Sequence, residues 1–226
     1  FVYTNYFGVC TNHVRKLSNV TNLVIDNSQS FFSGPVAHVD TFYSARKFFG
    51  VPDGAYLYTD TDLSMCLERD CSVDRFTHLI GRIDIGAEAF YSQYQKANSM
   101  LKNQPIKMMS KITEHLLQSI DYVGISKVRM RNFHYAHKHL SKLNKLQLDV
   151  DSVPMVYPLL VDNGREVKEI LIKNKIFVAT YWPNVIDFAP KESFEHKLVN
   201  DLVCLPIDQR VNVEELKEII DLVLSV

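Results

Sequence analysis

No apolar run in the chain approaches the roughly 20 residues that a membrane-spanning helix needs. Neither sign of charge is in excess: 25 Lys and Arg stand against 26 Asp and Glu, a formal net charge of -1. No whole-protein field gathers nucleic acid or an anionic membrane, and neither is expected as a partner. Cysteine is scarce. The four present, Cys10, Cys66, Cys71 and Cys204, form no disulfide framework, and Cys66 and Cys71 lack the spacing of a zinc knuckle. They are expected to be reduced thiols of a cytoplasmic protein. The opening Phe1-Val2-Tyr3 has no basic segment leading into an apolar one, so it is not a secretory signal. It has no Met either, and the expectation is a chain whose beginning is missing. Internal repeats, low-complexity segments, a phosphate-cradling glycine loop and a Ser/His/Asp or Cys/His nucleophile pattern are also absent.

The 226 residues are globular in composition, 46% hydrophobic and 23% charged, enough for one large or two small domains. Residues 1–6 predict a strand closed by Gly8. Leu23-Val24-Ile25 is a short apolar run that stops at Asp26, as a buried parallel strand does at the sheet edge. Thr41-Phe42-Tyr43 predicts a third strand, and the turn signal Pro52-Asp53-Gly54 introduces a fourth at Ala55–Tyr58. Strands separated by helix-length segments predict an α/β sheet of parallel character.

The middle of the chain is helical. Residues 83–101 lack proline, and Met109, Ile112, Leu116, Leu117 and Ile120 recur at helical spacing, as do Ile125, Val128, Ala136, Leu140 and Leu143. After Asp149-Val150-Asp151-Ser152 the pattern changes. Strands are predicted over residues 155–161, where Pro158 implies an edge, over 176–181 and over Leu202–Leu205. Val167, Ile170 and Leu171 mark a helix. A last helix runs from Val213 to Leu224, with Asn212 and Glu215 as its capping pair. Residues 1–149 and 150–226 are therefore expected to form two domains, the second a small α+β unit.

The strongest chemical signal is Asp26-Asn27-Ser28-Gln29, followed by Ser44-Ala45-Arg46-Lys47. An acidic residue at the carboxyl end of a parallel strand lies where open α/β sheets bind ligands, and a lysine just after the next strand reaches the same crevice. An amine and a carboxylate presented together suit pyridoxal phosphate. The amine forms a Schiff base with the aldehyde, and the carboxylate keeps the ring nitrogen protonated.

This stretch resembles the DegT/StrS-type pyridoxal-phosphate aminotransferases, the nucleotide-sugar aminotransferases of fold type I. Their pattern is a strand ending in Asp, a Gln three residues later, and then a loop of the form Ser-Phe-(Ser/His)-x-x-Lys. Asp26 and Gln29 match the first part, Ser44-Ala45-Arg46-Lys47 the second, and Asp53-Gly54-Ala55-Tyr56-Leu57 the glycine turn and strand that follow. Residues 154–161, residues 176–181 with Trp182, and Leu205-Pro206-Ile207-Asp208 are similar to the family's C-terminal domain.

The resemblance implies the later part of a fold-type-I large domain over residues 1–149 and a small α+β C-terminal domain over 150–226. It makes Lys47 the Schiff-base lysine and proton shuttle, and Asp26 the partner of the pyridinium nitrogen. Gln29 lies near the phenolic oxygen, and Ser44 is a phosphate contact. It implies amino transfer from glutamate to a keto-sugar nucleotide in a homodimer. Lys47 favours aminotransfer over the family's dehydratase branch, in which a His replaces that lysine. The aromatics Phe42, Tyr43, Phe48 and Phe49 around Lys47 are expected to bury in a core or against the partner subunit.

Two departures stand out. The family's amino-terminal part, which supplies the phosphate-cradling turn and the ring-stacking aromatic, has no counterpart here. Gly81-Arg82-Ile83-Asp84-Ile85 stands where the family often has Gly-x-Asn-x-Arg. The alternative is thus a catalytically incomplete relative acting as a binding or assembly module. No metal site is expected: His134, His137 and His139 cluster on one predicted helix, but no further ligand is spaced to complete a set. His78, Tyr181 and Trp182 suit several chemistries equally, so the acceptor is not read from sequence.

Overall fold

The computed structural model describes residues 1–148 and 150–226, and the chain divides into two compact units. The first comprises Phe1–Asn5 and His13–Asp121, the second Tyr6–Asn12 and Tyr122–Val226. The division falls between Asp121 and Tyr122, ahead of the compositional change after which a second domain was expected. Asp149, at that change, lies outside the described residues.

The first unit is built on a four-stranded sheet in the order β1 (Val2–Thr4), β2 (Val24–Asn27), β3 (Asp40–Ser44), β4 (Ala55–Tyr58). β1, β2 and β3 are parallel, and β4 runs antiparallel to β3. The parallel strands have the expected origin. Val14 of helix α1 (Thr11–Lys16) packs with Leu23 and fully buried Ile25, covering one face of β2. β4 turns back because only a short segment separates it from β3, too short for a crossover helix.

The reversal depends on Pro52-Asp53-Gly54. Gly54 has φ +106°, a conformation that side chains with a Cβ rarely adopt. Its carbonyl accepts the Ala45 N–H at 3.1 Å, which ties the turn to the residue after β3. Helices α2 (Thr77–Asp84), α3 (Tyr91–Ser99) and α4 (Lys111–Gln118) complete the unit. The expected helical stretch over 83–101 is broken at Gly86, with φ +133°. Ser110 caps α4 by accepting the Thr113 N–H.

The longer part of the second unit starts with the 19-residue helix α5 (Tyr122–Leu140), which buries Phe133, Ala136 and Leu140 in that unit's core. Its apolar stripe predicts a packed helix but not which sheet it packs on. Strand β5 (Tyr157–Leu160) follows, then α6 (Gly164–Lys173), α7 (Phe194–Asp201), β6 (Leu202–Leu205) and α8 (Val213–Leu224). β5 and β6 form an antiparallel pair, with Tyr157 opposite Leu205 and Leu160 opposite Leu202. In a two-stranded sheet both strands are edges, so Pro158 removes no ladder bond from a central position.

α8 starts with a complete capping box: Asn212 Oδ1 accepts the Glu215 N–H and the Glu215 carboxylate accepts the Asn212 N–H, each at 2.8 Å. The buried Arg129 of α5 donates to the Met155 carbonyl at 3.0 Å and to Gln209 Oε1 at 3.1 Å. Asn132 donates to the Val211 carbonyl at 2.9 Å. The bonds to Gln209 and Val211 fasten the loop after β6, and the bond to Met155 holds the approach to β5. Residues 176–181 are not a strand. Lys175 takes φ +62° and Ile176 donates to the Leu171 carbonyl, so the chain leaves α6 through a tight C-terminal cap.

Candidate active site

The carboxyl end of β2 supplies the first group. Side chains alternate across a strand, so Ile25 and Asn27 point to the buried face while Val24 and Asp26 point to the other. Beneath the strand end lies a polar network. Asn5 Nδ2 donates to Asn27 Oδ1 at 3.1 Å and to Ser30 Oγ at 3.1 Å, and the Ser30 and Ser33 hydroxyls bond each other. The Tyr43 hydroxyl donates to the Ser33 carbonyl at 2.9 Å. Asn5 and Ser30 are fully buried, so these bonds satisfy groups that would otherwise be costly to desolvate. They hold the turn after β2 from below. Sequence reasoning missed this network, whose only signal was a polar Asn27 where alternation calls for an apolar residue.

On the other face, Asp26 Oδ1 accepts the backbone N–H of Ser28 at 2.8 Å. Ser28 Oγ in turn accepts a hydrogen bond from Lys47 Nζ at 3.0 Å. Lys47 ends the 3-10 turn Ala45–Lys47, which follows β3 directly and is anchored by fully buried Ala45. The structure therefore brings Asp26 and Lys47 to one place with Ser28 between them. Lys47 is exposed, and desolvation by the groups around its amine moves its pKa below the ordinary lysine value; the negative charge of Asp26 opposes that movement, and the positive charge of Arg46 adds to it.

Ser44 lies on the same sheet face as Asp26. Asp26 is in register with Phe42, and Ser44 is two residues farther along β3. Its hydroxyl makes no capping bond to the turn it precedes. Gln29 is buried within the turn after β2. Arg46 points elsewhere, its Nη2 donating to Asn98 Oδ1 of α3 at 2.6 Å.

The aromatic residues around Lys47 are part of the unit's own interior. Tyr43, Phe48 and Phe49 are buried, and Phe31 and Phe32 pack on them, with Phe31 and Phe49 ring centres 4.8 Å apart. These three rings therefore supply no argument for a subunit interface. The turn before β4 has its own support: Asp53 Oδ1 accepts the Ser110 N–H at 3.1 Å, and buried Arg75 pairs with Asp53 and Asp70.

Elsewhere in the first unit, His78 is buried with its pKa lowered, first by desolvation and then by the charges of Arg46 and Arg82. Arg82 is exposed. In the second unit, Tyr181 and Trp182 pack on Phe7, with ring centres 5.0 and 5.8 Å away. Among the described residues no three His, Cys, Asp or Glu side chains are grouped to hold a metal, and no helix is long and apolar enough to cross a membrane.

An amine and a carboxylate gathered by one serine at the ends of parallel strands form a donor set that fits pyridoxal phosphate. The cofactor needs a nucleophilic amine for its aldehyde and an anion for its ring nitrogen.

No family model and no curated protein matches the chain. Solved structures do. A DegT/DnrJ/EryC1/StrS aminotransferase from Brucella abortus superposes with a TM-score of 0.56 at 13% identity, over 99% of this chain and 63% of that one. A sugar aminotransferase from Micromonospora echinospora gives 0.59 at 13% identity, over 99% and 66%. DesV from S. venezuelae, in complex with a ketimine intermediate, gives 0.58 at 15% identity, over 99% and 64%. This chain thus shares the fold of part of these aminotransferase structures, and it spans 63% of the length of the Brucella protein.

Proposed function

We propose that this chain is the lysine-bearing part of a pyridoxal-phosphate-dependent aminotransferase acting on a keto-sugar nucleotide. The observation that supports it most directly is the Lys47–Ser28–Asp26 array at the sheet end of a fold shared with sugar aminotransferases. In this reading residues 1–149 are the later part of the large domain with its connecting helices, of which α5 packs in the second unit, and 150–226 are the small α+β C-terminal domain.

Pyridoxal phosphate, when bound, supplies an aldehyde that takes up an amine and a protonated ring that withdraws electrons. The protein residues do the rest. Lys47 Nζ would be the attachment point and the base that takes the proton from the amino donor's Cα. Desolvation moves its pKa below the ordinary lysine value, the direction that favours a base. The Asp26 carboxylate would hold the proton on the ring nitrogen. Gln29 would bond near the phenolic oxygen, and Ser44 would contact the phosphate. Glutamate is the amino donor, the route is ping-pong, and the working unit is a homodimer, since fold-type-I sites are built at a two-fold interface.

The test is a half-reaction. Protein loaded with pyridoxal phosphate and given glutamate should release 2-oxoglutarate in proportion to Lys47-bearing sites. The Lys47→Ala variant should release none. Loaded protein that releases no keto acid from any amino donor would favour a binding or assembly module instead.

A further inference from the structure

We propose that Ser28 is a positioning residue for Lys47, a neutral spacer that holds the amine beside Asp26 while preventing the two from closing into a direct ion pair. The proposal deepens the aminotransferase reading and rests on it for its purpose, although not for its test.

The turn 26–29 presents Ser28 on a fixed backbone. Asp26 Oδ1 accepts the Ser28 N–H at 2.8 Å, an Asx turn in which a side chain stands in for a backbone acceptor. The Ser30 N–H donates to the Asn27 carbonyl at 2.9 Å, and Asn27 is pinned from below by Asn5. Ser28 Oγ is therefore held at a set height over the strand end, where Lys47 Nζ donates to it at 3.0 Å. The Lys47 stem is long and flexible, and without that acceptor it is free to swing to the nearby Asp26 carboxylate.

The charged groups acting on the amine are Asp26 from β2 and Arg46 from its own turn. Left to themselves, Asp26 and Lys47 would pair. A lysine tied to a carboxylate stays protonated, and a carboxylate tied to a lysine is no longer available to a ring nitrogen. Ser28 prevents both. The side chain is what stands between them: the Ser28 hydroxyl gives the amine an uncharged acceptor at 3.0 Å, on a turn that the Asp26 carboxylate itself holds. An uncharged acceptor holds an ammonium less firmly than a carboxylate does, so the proton is easier to lose.

The experiment needs no cofactor. Competitive acetylation of the whole chain across a pH series, read by peptide mass spectrometry, reports the midpoint at which Lys47 becomes nucleophilic. Ser28→Ala should raise that midpoint by roughly one pH unit, the size expected when an opposite charge moves into contact. Ser28→Thr keeps the hydroxyl and should leave the midpoint in place. In the double variant Ser28→Ala, Asp26→Asn the rise should vanish. An unchanged or lowered midpoint in Ser28→Ala, or a rise that survives Asp26→Asn, would overturn the spacer role. The labels of distant lysines such as Lys217 serve as the folding control. If the Ser28 pattern appears but Lys47 takes up no pyridoxal phosphate, the cofactor reading fails and the spacer stands. The reverse result removes the spacer alone.

Discussion

Arg75 Nη2 lies 3.4 Å from Asp53 Oδ2, and both side chains are buried. The same nitrogen pairs with Asp70, so one guanidinium joins the turn before β4 to the loop that leads into α2. Removing one member of a buried charge group leaves the others unpaired in a poorly solvated place. Arg75→Met should therefore cost about 3 kcal/mol, at the low end for breaking a buried pair. Urea unfolding of the whole chain measures it. A loss below about 1 kcal/mol, the upper range for a surface pair, would show that water reaches both carboxylates.

Gly54 is a separate support of the same turn. A Cβ there would stand 2.9 Å from Thr113 Cγ2 on α4, and φ is +106°. Gly54→Ala should destabilise by more than about 1 kcal/mol, because the native backbone conformation is incompatible with the new residue. It should also lower the uptake of pyridoxal phosphate by Lys47, since the Gly54 carbonyl holds the Ala45 N–H at the start of the lysine turn. A variant with unchanged melting temperature and uptake would contradict both points.

Asp162 carries the clearest pH signature. Hydrogen bonds from Lys145 and Lys197 lower its pKa to about 2 from the ordinary 3.8. Folding therefore gains from the ionised form above the unfolded value, and that gain is lost as pH falls through about 2. A carboxyl NMR titration should find the low midpoint. Lys197→Met should move it back toward the ordinary value, and a midpoint that does not respond would refute the assignment.

The thiols should differ in reactivity. Burial pushes the Cys204 pKa up to about 12, whereas Cys66 and Cys71 are exposed. A thiol reagent should modify Cys66 and Cys71 in the folded chain and reach Cys204 only after unfolding. Rapid native labelling of Cys204 would mean that β6 opens locally.

Much of the fold was legible because local rules and packing agree. Ala55–Tyr58 and Leu202–Leu205 are strands at the predicted bounds, and the Asn212 and Glu215 cap is formed as the spacing implies. The failures arise where a local pattern leaves the partner open. The stripe on α5 marked a buried helix, yet Phe133 and Leu140 pack in the second unit. The apolar residues around Val178 read as a strand, but the cap after α6 diverts the chain before any ladder forms.

At the site, Asp26 and Lys47 were legible from their order along alternating strands. Ser28 was not, because its part depends on a turn geometry that no period encodes. The Asn5 network was hidden for a related reason: buried polar residues are satisfied by partners distant in sequence, and Asn5 reaches Asn27, Ser30 and Ser33 only once β1 lies beside β2.

The most direct test of the whole account is covalent. The chain is incubated with pyridoxal phosphate, reduced with borohydride and digested, and the modified peptide is identified by mass spectrometry. One adduct is expected, on Lys47, formed at a stoichiometry near one and absent from Lys47→Ala. Asp26→Asn should retain the adduct but bind the cofactor more weakly, as expected when a charge partner is replaced by a neutral one. An adduct spread over surface lysines, or one that persists undiminished in Lys47→Ala, would contradict it.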